Sequence, residues 1–216
     1  MKEYCPPDTC LDIQHIDEAL LVVNKPSGLL SVPGRGEDKQ DCLLSRLQTE
    51  YPEALSIHRL DMDTSGLILF ARNKKIHRQM SQLFEQRQVH KTYDALVSGC
   101  LQGEGIMDYP LLADWPNRPR QKVDFMKGKE AITRWQTISS DHENNTSHVK
   151  LFPVTGRSHQ LRVHLYSLGY PILGDNLYFS NHSDKKAKRL MLHACQLSFI
   201  HPLFNSSFEM CLSSGF

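Results

Sequence analysis

The apolar residues of this chain come in short runs, and this most narrows what it can fold into. The longest, such as Ala19–Val23 and Leu67–Ala71, hold five residues, far below the roughly 20 that span a bilayer as a helix. Short β-branched and leucine-rich runs bounded by turn residues read as buried strands. Asn24-Lys25-Pro26-Ser27-Gly28 is the turn that stops the first of them. A different period follows the second. Over Lys74–Val89, Ile76, Met80, Leu83 and Phe84 recur at i, i+4, i+7 and i+8, which predicts an amphipathic helix with basic residues on its other face. Thr92–Val97 and Lys150–Val154 read as further strands. Ser158 is placed to cap a helix over His159–Leu168, with Gly169 as its stop. Leu190–Ile200 and Ser207–Leu212 read as closing strands. Helices and strands are mixed without a regular βαβ alternation, so the expectation is an α+β domain, not a doubly wound parallel sheet. Residues 1–15 read as an N-terminal arm, loose over the first ten, and residues 16–216 as one domain.

At 216 residues, with 40% hydrophobic and 23% charged, the chain can bury a core without staples. Its start, MKEYCPPDTC, has no apolar segment of the kind a signal peptide needs. The expectation is a cytoplasmic protein with no membrane association. Cys5, Cys10, Cys42, Cys100, Cys195 and Cys211 are scattered without a C-x-x-C pair and read as reduced thiols. The net charge of +1 hides an uneven distribution. Residues 1–63 carry 6 Lys/Arg against 12 Asp/Glu, and residues 64–216 carry 19 against 12. Basic residues gather over Arg72–Lys91, Arg118–Arg134 and Lys185–Arg189. One such cluster is usually a solvated face; three in one domain fit a polyanion.

Three segments carry candidate chemistry. His58-Arg59-Leu60-Asp61-Met62-Asp63-Thr64-Ser65-Gly66 places two acids in a tight turn just before a buried strand. A carboxylate there can serve as nucleophile, general base, metal ligand or turn cap. Thr155-Gly156-Arg157-Ser158-His159-Gln160-Leu161-Arg162 leads from a strand into a helix N-terminus, where Arg157 can bind an anion or hold a carboxylate ionised. His159 and His164 lack the i, i+4 spacing of a zinc helix. Tyr93, in Lys91-Thr92-Tyr93, opens a strand and alone would be a packing residue.

Taken together, HRLDMDTSG at 58–66, KTY at 91–93, TGRSHQLRVH at 155–164, the segment Gly169–Asp175 and Leu192-His193-Ala194 resemble the RluA family of RNA pseudouridine synthases. The resemblance runs from about Ile16 to the end of the chain, in the order and spacing of that family. It is nearest, through NKPSGLLSVPG at 24–34 and DWPNRPRQKV at 114–123, to members that act on both tRNA and 23S rRNA. It implies a mixed, mostly antiparallel central sheet flanked by helices, in a catalytic domain with no S4-type RNA-binding domain in front. It implies isomerisation of a flipped-out uridine to pseudouridine, with the glycosidic bond broken and the base rejoined through C5. Asp61 is then the catalytic carboxylate, Tyr93 stacks on the base and helps move a proton, and Arg157 pairs with Asp61. Arg59 fills the hole left by the flipped base. His58, His159, Arg162 and the basic residues Arg118, Arg120 and Lys122 join Arg59 as RNA-binding candidates. Asp63 inherits no role. The reaction conserves atoms and electrons, so no cofactor or metal is implied, and tRNA and 23S rRNA are the implied partners of a monomer.

Two other readings compete. One takes Asp61 and Asp63 as metal ligands of a phosphoesterase, and demands further carboxylates or histidines near them. The other is a non-catalytic RNA-binding protein, for which the basic clusters serve equally well.

Overall fold

The computed structural model of the chain describes residues 4–179 and 187–216. Lys185 and Lys186 of the third basic cluster therefore lie outside the described residues. Contacts divide the chain into two compact units: Met1–His90 with Ala194–Ser214, and Lys91–His193 with Gly215–Phe216. The fold is α+β, as expected, with an extensive sheet and three helices among the described residues.

The first unit grows from the two apolar runs. β1 (Ile13–Ile16) pairs antiparallel with β2 (Leu20–Lys25). After α1 (Leu43–Glu50) and the short β3 (Leu55–Ser56), β4 (Ser65–Ala71) pairs antiparallel with both β2 and β3. All seven residues of β4 are buried. A strand enclosed on both faces gains nothing from alternation, which is why it reads as a continuous apolar run. Burying Leu67, Ile68, Leu69 and Phe70 contributes about 1.5–3 kcal/mol each. α2 (Lys74–Glu85) opens on Asn73, whose side chain accepts the N–H of Ile76 at 2.9 Å, and lays Ile76 and Met80 on the core with Ala19, Leu20, Leu67 and Leu69. The helix is shorter than its apolar period suggests. Arg87 takes a left-handed φ of 60°, so Val89 is buried outside the helix, on the way into the next strand.

The second unit runs through β5 (His90–Ser98), β6 (Glu104–Asp108), β7 (Leu111–Ala113), β8 (Gln121–Val123), β9 (Ile132–Asp141), β10 (Thr146–Pro153) and α3 (Gln160–Ser167). β10 pairs antiparallel with β5 and β9, β6 joins the far side of β9, and β7 and β8 form a separate hairpin. α3 is deeply set. Leu161 and Leu165 enter a core with Val97, Val149 and Leu151, while Val163 packs with Leu111, Ala131 and Tyr178. The helix starts one residue later than expected. Ser158 is exposed and is not the cap; His159, in a left-handed conformation with φ 55°, takes that position with no capping side chain. Its end is the predicted one. Gly169, at φ 92°, follows Leu168, and Tyr170 N–H reaches Leu165 O at 2.9 Å, the reversal that a left-handed glycine permits.

The chain returns in β11 (Leu192–Ile200), which neighbours β4, and closes in β12 (Ser207–Cys211), antiparallel to β11. Gly66 marks the closest approach: a Cβ there would stand 2.4 Å from Ala194 O, and its φ of 110° suits glycine alone. None of the six cysteines, all among the described residues, is in a disulfide. No helix among the described residues is long and apolar enough to cross a membrane.

Candidate active site

The turn that carries Asp61 lies between β3 and β4 in the first unit, and its backbone is held from below by the segment that follows β2. The central brace is Lys25. This side chain is 0% exposed, and its ammonium donates to Pro26 O at 2.8 Å, Leu29 O at 2.7 Å and Met62 O at 2.8 Å. Burial pushes its pKa down to about 7, against the pull of the Asp63 and Asp61 charges nearby. The same segment grips the turn four more times. Gly28 N–H reaches Met62 O at 2.9 Å, and Ser27 Oγ donates to Asp63 O at 2.6 Å. Ser31 Oγ donates to Leu60 O at 2.8 Å and accepts from Leu60 N–H at 3.1 Å. Carbonyls on both sides of Asp61 and the Leu60 amide are thus fixed, while Asp61 itself is half-buried.

The N-terminal arm belongs to this scaffold and is not loose from residue 4 onward. Tyr4 Oη accepts from Leu30 N–H at 3.0 Å and donates to Asp41 O at 2.9 Å. Below it, Cys42 caps α1 by accepting Ser45 N–H at 3.3 Å on its sulfur. The flanking residues of the motif divide sharply. Arg59 is exposed. His58 is engaged within the unit: its Nε2 accepts Leu69 N–H at 3.0 Å, and its ring stacks on Phe84 at 4.7 Å.

In the second unit, Gln160 organises the Thr155-Gly156-Arg157 loop. It is 4% exposed. Its Oε1 accepts from Thr155 Oγ1 at 2.8 Å and Arg157 N–H at 2.9 Å, and its Nε2 donates to Ile132 O at 3.0 Å and Thr133 Oγ1 at 2.9 Å. All four hydrogen-bonding positions of the amide are used, two by the loop and two by β9, so the loop is tied to that strand. Arg157 itself is exposed, and its Nε donates to Glu130 O at 3.0 Å. His159 Nδ1 lies 2.7 Å from the Tyr178 hydroxyl, which also accepts Gln121 N–H at 2.8 Å.

Arg162 corrects a sequence expectation. It is 2% exposed, and its guanidinium makes two bonds of 2.8 Å to the carboxylate of Asp175. A forked ion pair out of water has no face left for a phosphate. Arg162 is a structural residue of the second unit, not an RNA contact.

Tyr93 lies on β5 opposite Leu151 and packs half-buried against the second unit's core. Lys91, two residues earlier, shares its strand face. The Lys91 amine comes within 3.9 Å of where a Cβ on Gly156 would stand, and burial lowers its pKa. The structure thereby brings the KTY and TGR segments together within one unit. Arg118 and Lys122 are exposed on the β7–β8 hairpin and Arg120 is partly so. Among the described residues, no group of three or more His, Cys, Asp or Glu is gathered.

Comparison with known proteins agrees with these motifs. A family model described as RNA pseudouridylate synthase matches residues 19–167. A dual-specificity RNA pseudouridine synthase RluA of Yersinia pestis is 51% identical over 191 residues, covering 88% of this chain and 92% of its own. The protein of the same name from Escherichia coli K12 is 48% identical and covers 96% of this chain and 95% of its own. Among solved structures, human RNA pseudouridylate synthase domain containing 1 superposes with a TM-score of 0.79 at 28% identity, covering 97% of this chain and 86% of that one.

Proposed function

Because the chain belongs to the RNA pseudouridylate synthase family, it isomerises uridine in RNA to pseudouridine, and we propose that Asp61 is the carboxylate that carries the reaction. The observation that supports this is the bracing of the Asp61 turn by Lys25, Ser27, Gly28 and Ser31. A catalytic group must be held to a fraction of an ångström, and this one is held by its backbone while its side chain stays accessible.

The bond between N1 and C1′ breaks, the base turns, and C5 bonds to C1′. The proton lost from C5 balances the one gained at N1, so side chains suffice. Tyr93 stacks on the base and assists proton movement, Arg157 pairs with the carboxylate, and Arg59 takes the place of the extruded base. Flipping costs a few kcal/mol, which phosphate contacts from Arg118, Arg120 and Lys122 offset. Stacking on an aromatic ring returns about 1–3 kcal/mol.

The dual specificity in the relatives' name supports two RNA substrates; the resemblance gives these as the first uridine of a tRNA anticodon loop and a loop uridine of 23S rRNA. The enzyme acts as a monomer in the cytoplasm. Pseudouridine mapping in a deletion strain carrying either the wild type or Asp61→Asn tests the reading. Loss of both sites, restored by the wild type alone, is expected; persistence of both without the protein would overturn the substrate assignment. Full restoration by Asp61→Asn would overturn the role of Asp61.

A further inference from the structure

We propose that the β7–β8 hairpin and the turn after it hold unpaired bases of the RNA on Trp115, Phe125 and Met126. The inference rests on the reading of the chain as an RNA-modifying enzyme and deepens it, giving a role to three apolar side chains to which the resemblance assigns none.

Single exposed hydrophobes need no explanation. Here three large ones fall within twelve residues: Trp115 is 66% exposed, Phe125 74% and Met126 91%. Each is displayed by a built turn. Trp115 opens a helical turn fixed by Asn117 N–H to Asp114 O at 3.0 Å and by Asn117 Nδ2 to Asp114 Oδ2 at 2.9 Å. Phe125 and Met126 sit on a turn closed by Asp124, whose Oδ1 accepts Met126 N–H at 3.0 Å and Lys127 N–H at 2.9 Å. The turn is tight enough that a Cβ on Gly128 would stand 2.3 Å from Asp124 O. With the backbone already fixed in these turns, only the side-chain rotamers remain to be ordered when a partner covers them.

The surroundings select the partner. Arg118 lies with its guanidinium 3.3 Å from the centre of the Trp115 ring, a cation–π stack. Lys122, Lys127 and Lys129 are exposed on the same segment. Apolar faces among cations fit a polyanion that also offers flat rings. Single-stranded RNA offers both, whereas a paired helix hides its base faces and presents phosphate. The hairpin is also fixed to the start of α3, because Gln121 N–H reaches the Tyr178 hydroxyl that contacts His159. Bases held there keep a set position relative to the Arg157 loop.

The test compares the full chain with Phe125→Ser/Met126→Ser and with Trp115→Ser, all surface changes whose folding is checked by an unchanged Tm. Affinity is measured for a stem-loop RNA and for a blunt duplex of equal phosphate number. Pseudouridine formed on RNA from a deletion strain is measured in parallel. A loss of about tenfold or more for the stem-loop, with the duplex within about twofold, is expected from one lost stack. Equal loss on both RNAs, or none on either, would overturn the proposal. A changed oligomeric state with RNA affinity intact would assign the surface to protein contact instead and also overturn it. A wild type that forms no pseudouridine would overturn the enzymatic reading; an active wild type matched by its variants would overturn the stacking surface alone.

Discussion

Replacing Lys25 by methionine keeps the length of the side chain and removes its charge and three donors. Two opposing effects follow. The wild-type ammonium satisfies three carbonyls, and leaving Pro26 O, Leu29 O and Met62 O without it costs about 1–3 kcal/mol for each that finds no water. Against this, the protein bears the cost of enclosing a cation, visible in a pKa lowered from 10.5 to about 7. Between those two values the unfolded chain holds a proton that the folded chain has released. Protons therefore favour unfolding in this window, and the Lys25 contribution to stability grows as pH rises through it. The slope approaches about 1.4 kcal/mol per pH unit, so between pH 7 and pH 9 the wild type should gain about 2–3 kcal/mol relative to Lys25→Met. Below pH 7 the difference should flatten, since both states of the wild type are then protonated. Urea unfolding of both proteins at several pH values, followed by circular dichroism, measures the difference directly, and groups common to both largely cancel. A difference independent of pH from 7 to 9 would refute the assignment of a desolvated ammonium beneath the Asp61 turn. The same substitution should lower kcat more than it weakens RNA binding, because Lys25 is fully enclosed and acts on the turn from within.

Asp61→Asn should lower pseudouridine formation by at least about 100-fold, the low end for a group that moves protons or attacks covalently, with Tm and RNA affinity preserved. Chelation by EDTA should leave wild-type activity intact; loss restored by magnesium would revive the phosphoesterase reading. Asp175→Asn leaves Arg162 charged and enclosed with only part of its partner, and should cost about 3–5 kcal/mol in denaturant unfolding, whereas a loss of RNA affinity at unchanged stability would return Arg162 to the RNA surface. Gly66→Ala forces a Cβ against Ala194 O and an unfavourable φ together, and should cost at least about 3 kcal/mol, seen as a fall in Tm of about 6–12 °C.

β2, β4 and α2 were legible because their side chains announce them: an unbroken apolar run for an enclosed strand, a period near 3.6 for a helix against a core. β9 was not. Its sequence ITRWQTISSD has few apolar residues and only Thr133 is buried, so its place rests on backbone pairing to β6 and β10, which leaves no mark on composition. α1 carries no usual start signal, since its cap is a cysteine sulfur. The motif segments identified the chemistry, since Asp61, Tyr93 and Arg157 belong to an ordered set of short sequences. What those segments could not disclose is the fate of each charge within them. Arg59 and Arg162 look alike in sequence, yet one is exposed and the other is locked to Asp175, thirteen residues away. Lys25 reads as a turn lysine and is in fact fully enclosed. By itself the sequence determined the fold class and the family, and it singled out the candidate residues for the reaction. Only the tertiary structure decided which charged and polar side chains face water and which hold the turns in place, because burial of an ionic group depends on which acceptors the folded chain brings around it, near in sequence like Leu29 O or far like Met62 O.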